Sequence, residues 1–345
     1  VQGIEDTLDC PEFAYDFPVA FATHCPACII VDHKQQQTYC LAESGFSDLI
    51  SGLLQDVQAS IKVQPPSPRP VYGSISEDEP DQYLSGVAHI LEYISAGDVF
   101  QVNLSRSWCL ESDNAISATD VYRYLCDSNP APFACLVHHA SGNIISSSPE
   151  RLVRISEGVI ETRPIAGTRP RTHDDQDMQW LHELKTDNKE RAEHIMLIDL
   201  ERNDLGRVCR PGSIAVDELM TVESYAHVHH IVSNIRGQLN EHATPIDAIK
   251  AVFPGGTITG CPKVRCMQIL AELEQTGRGP YTGSVGYISH HGNIDFNILI
   301  RTIFHQDKQL SFRAGAGIVA DSIPENELTE TRHKARGMLL AMGAA

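Results

Sequence analysis

Between a helical run ending near Val252 and a second helix beginning at Lys263, the chain reads Phe253-Pro-Gly-Gly-Thr-Ile-Thr-Gly-Cys-Pro-Lys263. Three glycines, two prolines and two threonines so close together cannot continue a helix or a central strand. The composition suits a loop moulded onto a ligand. Backbone amides approach closely there, Thr257 and Thr259 add neutral donors, and the next helix opens with its positive end and Lys263. Such a place suits a carboxylate or phosphate, so an anionic small molecule is the expected guest. A plain Gly/Pro turn with a helix cap accounts for the same residues equally well.

The rest of the 345 residues, 42% of them hydrophobic, suffices for one large or two ordinary domains. A formal charge of −18 with no basic run excludes non-specific binding to nucleic acid or acidic membranes. No stretch approaches about 18 uninterrupted apolar residues, and the opening Val1-Gln-Gly-Ile-Glu-Asp lacks the basic and apolar regions of a signal peptide. A cytoplasmic location is therefore expected. Of the ten cysteines, Cys109, Cys135, Cys261 and Cys266 sit in apolar runs and read as reduced core thiols. Cys25 and Cys28, with His24 and His33 nearby, lack the second pair that a zinc site wants, so they too read as unpaired.

Along the chain, Phe46 to Ile61 has helical spacing, and the proline-rich Val63 to Pro70 marks a soft boundary. A helix is expected from Ser76 to Gly97, then a strand from Val99 whose Gln101 and Asn103 share a face. Leu152 to Ile155 and Val159 to Arg163 form a hairpin. Counting outward from its turn brings Glu150 beside Ile165 and Ala166. A carboxylate there is either a partly buried acid or half of an ion pair with Arg151 or Arg163, and the ion pair is favoured on charge alone.

Asp187 and Glu190 have capping-box spacing, and the following helix carries Ile195, Met196 and Ile198 inward with Glu193 close to that face. Asp199, Arg202 and Asp204 read as an internal salt-bridge network. Val228 to Ile235 is a strand in which His230 reads as a satisfied core residue. Gly283 to Val319 suggests a three-stranded meander, and its register places Arg301 near Tyr281 and Thr282. A last helix from Asp321 presents Glu327, Glu330, Thr331 and Lys334 on one stripe. That stripe is a solvated face or, with Glu193 nearby, an oxygen-rich Mg2+ site.

From about Leu84 onward these motifs resemble the chorismate-utilising enzymes, which include anthranilate synthase, aminodeoxychorismate synthase and isochorismate or salicylate synthases. The resemblance is carried by Ser148-Pro-Glu-Arg, Arg163-Pro-Ile-Ala-Gly-Thr-Arg, Arg202-Asn-Asp-Leu-Gly-Arg, His229-His-Ile-Val-Ser, the Pro254 to Lys263 loop, Gly315-Ala-Gly-Ile-Val-Ala-Asp-Ser and Glu327-Leu-Thr-Glu. It implies an α+β fold: a large α/β sandwich of two antiparallel β-sheets wrapped by helices. Residues 76–345 would be the chorismate-binding catalytic domain, and residues 1–70 a shortened N-terminal region packing on it.

The resemblance also implies roles. Glu150 matches the general acid that protonates the leaving C4 hydroxyl, His230 a catalytic histidine, and Thr257 a substrate-contacting hydroxyl. Glu193 and Glu330, with Glu327 beside them, match the carboxylates that hold Mg2+, while Tyr281, Arg301, Gly315 and Lys334 match positions that hold the substrate carboxylates. The expected substrate-binding set adds Gln101, Ala166, Gly167, Thr168, Lys263 and Gly317. Gln101 stands where the isochorismate branch places a lysine base, which disfavours water as nucleophile. Gln101-Val-Asn-Leu, Asp199-Leu-Glu-Arg-Asn-Asp and Phe296-Asn-Ile-Leu-Ile-Arg are more like the aminodeoxychorismate branch. Ala166 departs from it, standing where many such enzymes have a lysine, as it does in anthranilate synthases. The expectation is an aminodeoxychorismate synthase component I that takes ammonia from a separate glutamine amidotransferase subunit. Anthranilate synthase is the alternative, and a non-catalytic chorismate-binding relative the rival of another class.

Overall fold

In the computed structural model, residues 4–5, 8–64, 67–171, 177–224 and 228–343 are described, with the side chains of 168–170, 185, 188–189 and 228 outside that description. The chain falls into two compact units, Phe17–Arg69 and Val1–Asp16 with Pro70–Ala345. The smaller unit is a hairpin of β1 (Ala27–Asp32) and β2 (Gln37–Ala42) followed by α1 (Leu49–Ile61), where the apolar periodicity had placed a helix. Cys25 and Cys28 are exposed free thiols.

The larger unit begins with β3 (Ser74–Glu77), α2 (Pro80–Ser95), β4 (Gln101–Glu111), α3 (Ala118–Ser128), β5 (Phe133–His139) and β6 (Gly142–Ser148). There follow β7 (Arg151–Ser156), β8 (Val159–Thr162), β9 (Ile165–Pro170), α4 (Asp177–Thr186), α5 (Asn188–Gly206), β10 (Ala215–Ser224), β11 (Val228–Gln238) and α6 (Pro245–Val252). The loop then gives way to β12 (Gly260–Cys261), α7 (Lys263–Glu274), β13 (Gly286–Ile288), β14 (Ile294–Asn297), β15 (Thr302–Gln306), β16 (Gln309–Ile318) and α8 (Pro324–Ala341). Two seven-stranded sheets result, one in the order β12-β4-β16-β15-β6-β5 with β3 on β4, the other β10-β11-β8-β7-β14-β13 with β9 on β11. Neighbouring strands within both sheets run antiparallel, as the resemblance implies.

Apolar residues from the strands pack under helices on both sheets. Leu152, Ile160 and Ile235 meet α5 and α6 through Ile198, Leu205 and Ala251. Trp108, Ile145 and Phe312 meet α3 and α8, and Leu104 and Ala316 meet α2 and α7. Trp108 and Phe312 stack at 5.2 Å between ring centres. Among the described residues no helix is long and apolar enough to cross a membrane.

Three expectations need correction. Ser76 is not helical: Ser74–Glu77 pairs with β4, and the helix waits for Pro80, whose fixed φ suits the first helical position. Ile195 points outward and is 45% exposed, because the buried stripe of α5 runs through His194, Leu197, Ile198 and Leu205. The meander is divided: β13 and β14 belong to one sheet, β15 and β16 to the other, and the chain crosses over between Asn297 and Thr302.

Ile235 is fully buried in the sheet that carries β11, whereas Leu219 on β10 is 57% exposed. Ile235→Ala is expected to lower unfolding stability by about 2–5 kcal/mol in denaturant titrations, and Leu219→Ala by less than about 0.5 kcal/mol.

Candidate active site

Two of the passages that carry the chain from one sheet to the other lie side by side. The first, between β6 and β7, carries Glu150; the second, between β14 and β15, carries Arg301. The Ile298 amide donates to the Glu150 carbonyl at 3.0 Å and the Ser147 amide to the Arg301 carbonyl at 3.1 Å. Arg301 holds a left-handed φ of 50° at this corner.

Glu150 is 5% exposed. Thr257 Oγ1 donates to its Oε1 at 2.9 Å, and the Ile165 amide donates as well. Burial pushes its carboxyl up to about 7, while those two hydrogen bonds and the charges of Lys334 and Arg301 pull the other way. The expected neighbourhood with Ile165 is therefore present, but the ion pair is not. Arg151 turns to Asp295 on the adjacent strand with bonds of 2.9 and 3.1 Å, and Arg163 to Glu218 and Glu223 at 2.6 Å.

His230 is buried on β11 and its pKa is lowered to about 4, by burial first and then by the Arg301 charge, with a Gly167 backbone contact opposing. Its imidazole is neutral at pH 7. Opposite it on β9 runs Thr168, whose side chain lies outside the described residues, and Ala166 pairs with Ile231. Lys334 Nζ donates to the Gly315 carbonyl at 3.0 Å and pairs with Glu330 at 2.7 Å. Gly315 and Gly317 permit close approach: a Cβ at the first would meet the Tyr281 hydroxyl, and at the second the Gln101 amide. Gln101 Oε1 and the Tyr83 hydroxyl are buried with no hydrogen-bond partner among the described residues. Polar atoms in that state are ready for a ligand.

The loop itself behaves differently from expectation. Side chains at Gly255, Gly256 and Gly260 would strike Ile298, Leu200 and the Gln101 backbone, so these glycines mould the loop onto the protein. Lys263 is taken by the protein, its ammonium 2.5 Å from Asp204 and 3.0 Å from the Val252 carbonyl. The buried carboxylate of Asp204 captures it, so Asp204 pairs outside the charged run and not within the network expected with Asp199 and Arg202. Arg202 and Asp199 form only an exposed pair at 2.9 Å.

Glu193 stands on α5, and Glu327 and Glu330 on α8. Their three carboxylates do not gather within 4.8 Å of one another. The donor chemistry nevertheless suits a hard divalent cation, which takes one or two carboxylates and completes its shell with water and substrate oxygens. The surplus negative charge is felt locally: burial, then Glu327 and Glu330, push the Tyr83 hydroxyl upward.

Two residues near this site escaped the sequence. Glu201, one turn from Asp204, is raised to about 8 by burial and by the charges of Glu150 and Asp204. Arg278 joins the loop to β4, and the spacing of Glu274 and Arg278 was its only signal.

Because the folded-state value of Glu150 lies above the ordinary 4.5, the native state keeps this proton longer than the unfolded chain. Its contribution to stability is present at low pH and is lost as pH rises through about 7. The melting temperature of Glu150→Gln relative to wild type is expected to rise between about pH 5 and about pH 8. A pH-independent difference contradicts the burial.

Comparison with known proteins matches residues 4–340 to the model of a chorismate binding enzyme. The chain is 44% identical over 94% of its length to an anthranilate synthase component I-like protein of Synechocystis, covering 67% of that protein. It is 49% identical over 74% of its length to anthranilate synthase component 1 of Aquifex aeolicus, and 47% over 76% to aminodeoxychorismate synthase component 1 of Bacillus subtilis. It spans only 51% and 56% of those two relatives. The crystal structure of anthranilate synthase component I from Streptococcus pneumoniae superposes with a TM-score of 0.87 at 32% identity, over 98% of this chain and 78% of that one. The chain belongs to the chorismate binding enzyme family.

Proposed function

We propose that the chain aminates chorismate as an aminodeoxychorismate synthase component I, exchanging the C4 hydroxyl for an amino group. The observation that carries this reading is Glu150, a buried carboxyl raised to about 7 with Lys334 and Arg301 acting on it. Hydroxide is a poor leaving group, and a carboxylic acid that keeps its proton near neutral pH can release it as water. Chorismate is a dianion, and Arg301, Lys334 and Tyr281 supply the charge and hydrogen bonds that orient its two carboxylates. Gly315 and Gly317 let Tyr281 and Gln101 approach β16 closely.

Glu193 and Glu330, with Glu327, would hold Mg2+ together with a substrate carboxylate. The ion would supply charge neutralisation for the bound dianion. Thr257 holds the acid in place through its 2.9 Å hydrogen bond. As the C4–O bond breaks, Glu150 gives its proton to the departing oxygen; as C4–N forms, ammonia loses one proton, which restores Glu150. Ala166 provides no amine for a covalent intermediate, so ammonia is the direct nucleophile. It would come from a separate glutamine amidotransferase subunit.

A second reading, anthranilate synthase, is favoured by Ala166 and by the names of several relatives. Mass spectrometry of the product from chorismate, Mg2+ and ammonium separates the two. The first reading gives 4-amino-4-deoxychorismate, and anthranilate with pyruvate replaces it by the second. Turnover is expected to decline as pH rises above about 7, where Glu150 loses its proton. Glu330→Gln and Glu193→Gln are expected to abolish turnover, and retained Mg2+-dependent activity in either would remove that residue from the metal site.

A further inference from the structure

Just beyond α7, the Arg278 guanidinium engages all five of its N–H groups. Nε and Nη2 grip the two oxygens of Glu274 at 2.8 and 2.7 Å. Nη2 also donates to the Asn103 carbonyl on β4 at 2.7 Å, while Nη1 donates to the Ile258 carbonyl at 3.1 Å and the Thr282 hydroxyl at 3.4 Å. The guanidinium lies 5.5 Å from the centre of the Tyr281 ring. Glu274, buried, is fixed in turn by the Ser105 amide and hydroxyl at 2.9 and 2.7 Å and faces Arg313 at 3.6 Å.

Two of these partners adjoin residues of the site. Ile258 follows Thr257, whose hydroxyl rests on Glu150, and Thr282 follows Tyr281, whose hydroxyl stands at Gly315. Thr282 also holds a left-handed φ of 64°, a conformation that a bulky residue keeps only when its surroundings enforce it. The Ile258 carbonyl is tied a second time by Asn103 Nδ2 at 3.0 Å. A lysine carries the same charge but has no planar fork and cannot reach four segments at once.

We propose that Arg278 is a positioning residue: it touches no reacting atom but fixes the threonine loop and the Tyr281 turn against β4, and so keeps Thr257 on Glu150. This rests on the reading of Glu150 as the acid of chorismate turnover.

The test is a double-mutant cycle on the full chain. Arg278→Lys is expected to lower kcat for chorismate about 10- to 100-fold in the wild-type background. In a Thr257→Val background, where the hydroxyl to be positioned is gone, the same change should cost less than about threefold. Additive losses overturn the proposal. Arg313→Lys is the control: it shares Glu274 but not Ile258 or Thr282, so it should lower thermal stability and show no coupling to Thr257. Equal coupling there overturns the proposal too. If the wild-type protein does not convert chorismate, the functional reading fails. The clamp is then judged on the crystal structure of Arg278→Lys, where the Thr257–Glu150 distance of 2.9 Å must exceed about 3.5 Å. An unchanged distance overturns it. Should Arg278→Lys not fold, Asn103→Ala loosens the same carbonyl, leaves the Glu274 pair intact, and must couple to Thr257 in the same direction.

Discussion

Excluding water from the carboxyl group of Glu150 is the constraint around which the larger unit is arranged. A carboxylate in that position costs several kcal/mol unless it is paired or keeps its proton. Neither adjacent arginine pairs with it, since Arg151 is held by Asp295 and Arg163 by Glu218 and Glu223. What remains is a hydroxyl, a backbone amide and the more distant charges of Lys334 and Arg301. That balance leaves the group titrating near neutrality rather than fully ionised.

The sheets explain why this happens where it does. A chain that passes between two antiparallel sheets must leave both hydrogen-bonded ladders, and here two such passages run together and tie their backbones to one another. Glu150 and Arg301 start from these passages and act on one another through their charges. The glycines at 315 and 317 let Tyr281 and Gln101 pack close against β16, and α8 brings Lys334 to the Gly315 carbonyl. Lys334 joins the Gly315 carbonyl to Glu330, so the cation and the carboxylate of the α8 stripe are already engaged with the site.

Much of this was legible from residue patterns, because period and turn chemistry are local. The hairpin turn at Glu157 and Gly158 set the register that brought Glu150 to Ile165, and Asp187, which accepts from the Glu190 amide at 3.2 Å, marks a helix start. Apart from Ile195, whose place on the exposed side of α5 is a matter of helix period, the failures depended on partners distant in sequence. Ser74–Glu77 becomes a strand only because the edge of β4 is there to receive it. Lys263 was read as facing a ligand, but Asp204, far away in the chain, captures it. The glycines of the loop were assigned to a ligand, whereas three protein surfaces require them. Arg278 left only its spacing from Glu274 as a signal, because three of its partners are carbonyl or hydroxyl groups on separate segments, and such acceptors leave no signature in sequence.

The buried acid is tested most directly by a carbon-13 NMR titration of the glutamate carboxyl groups, with Glu150 assigned by the signal lost in Glu150→Gln. The expected result is a midpoint near 7 for this carboxyl, well above the ordinary 4.5. A midpoint at or below 4.5 would mean that the group is solvated or ion-paired, and the proton donor on which the reading depends would not exist.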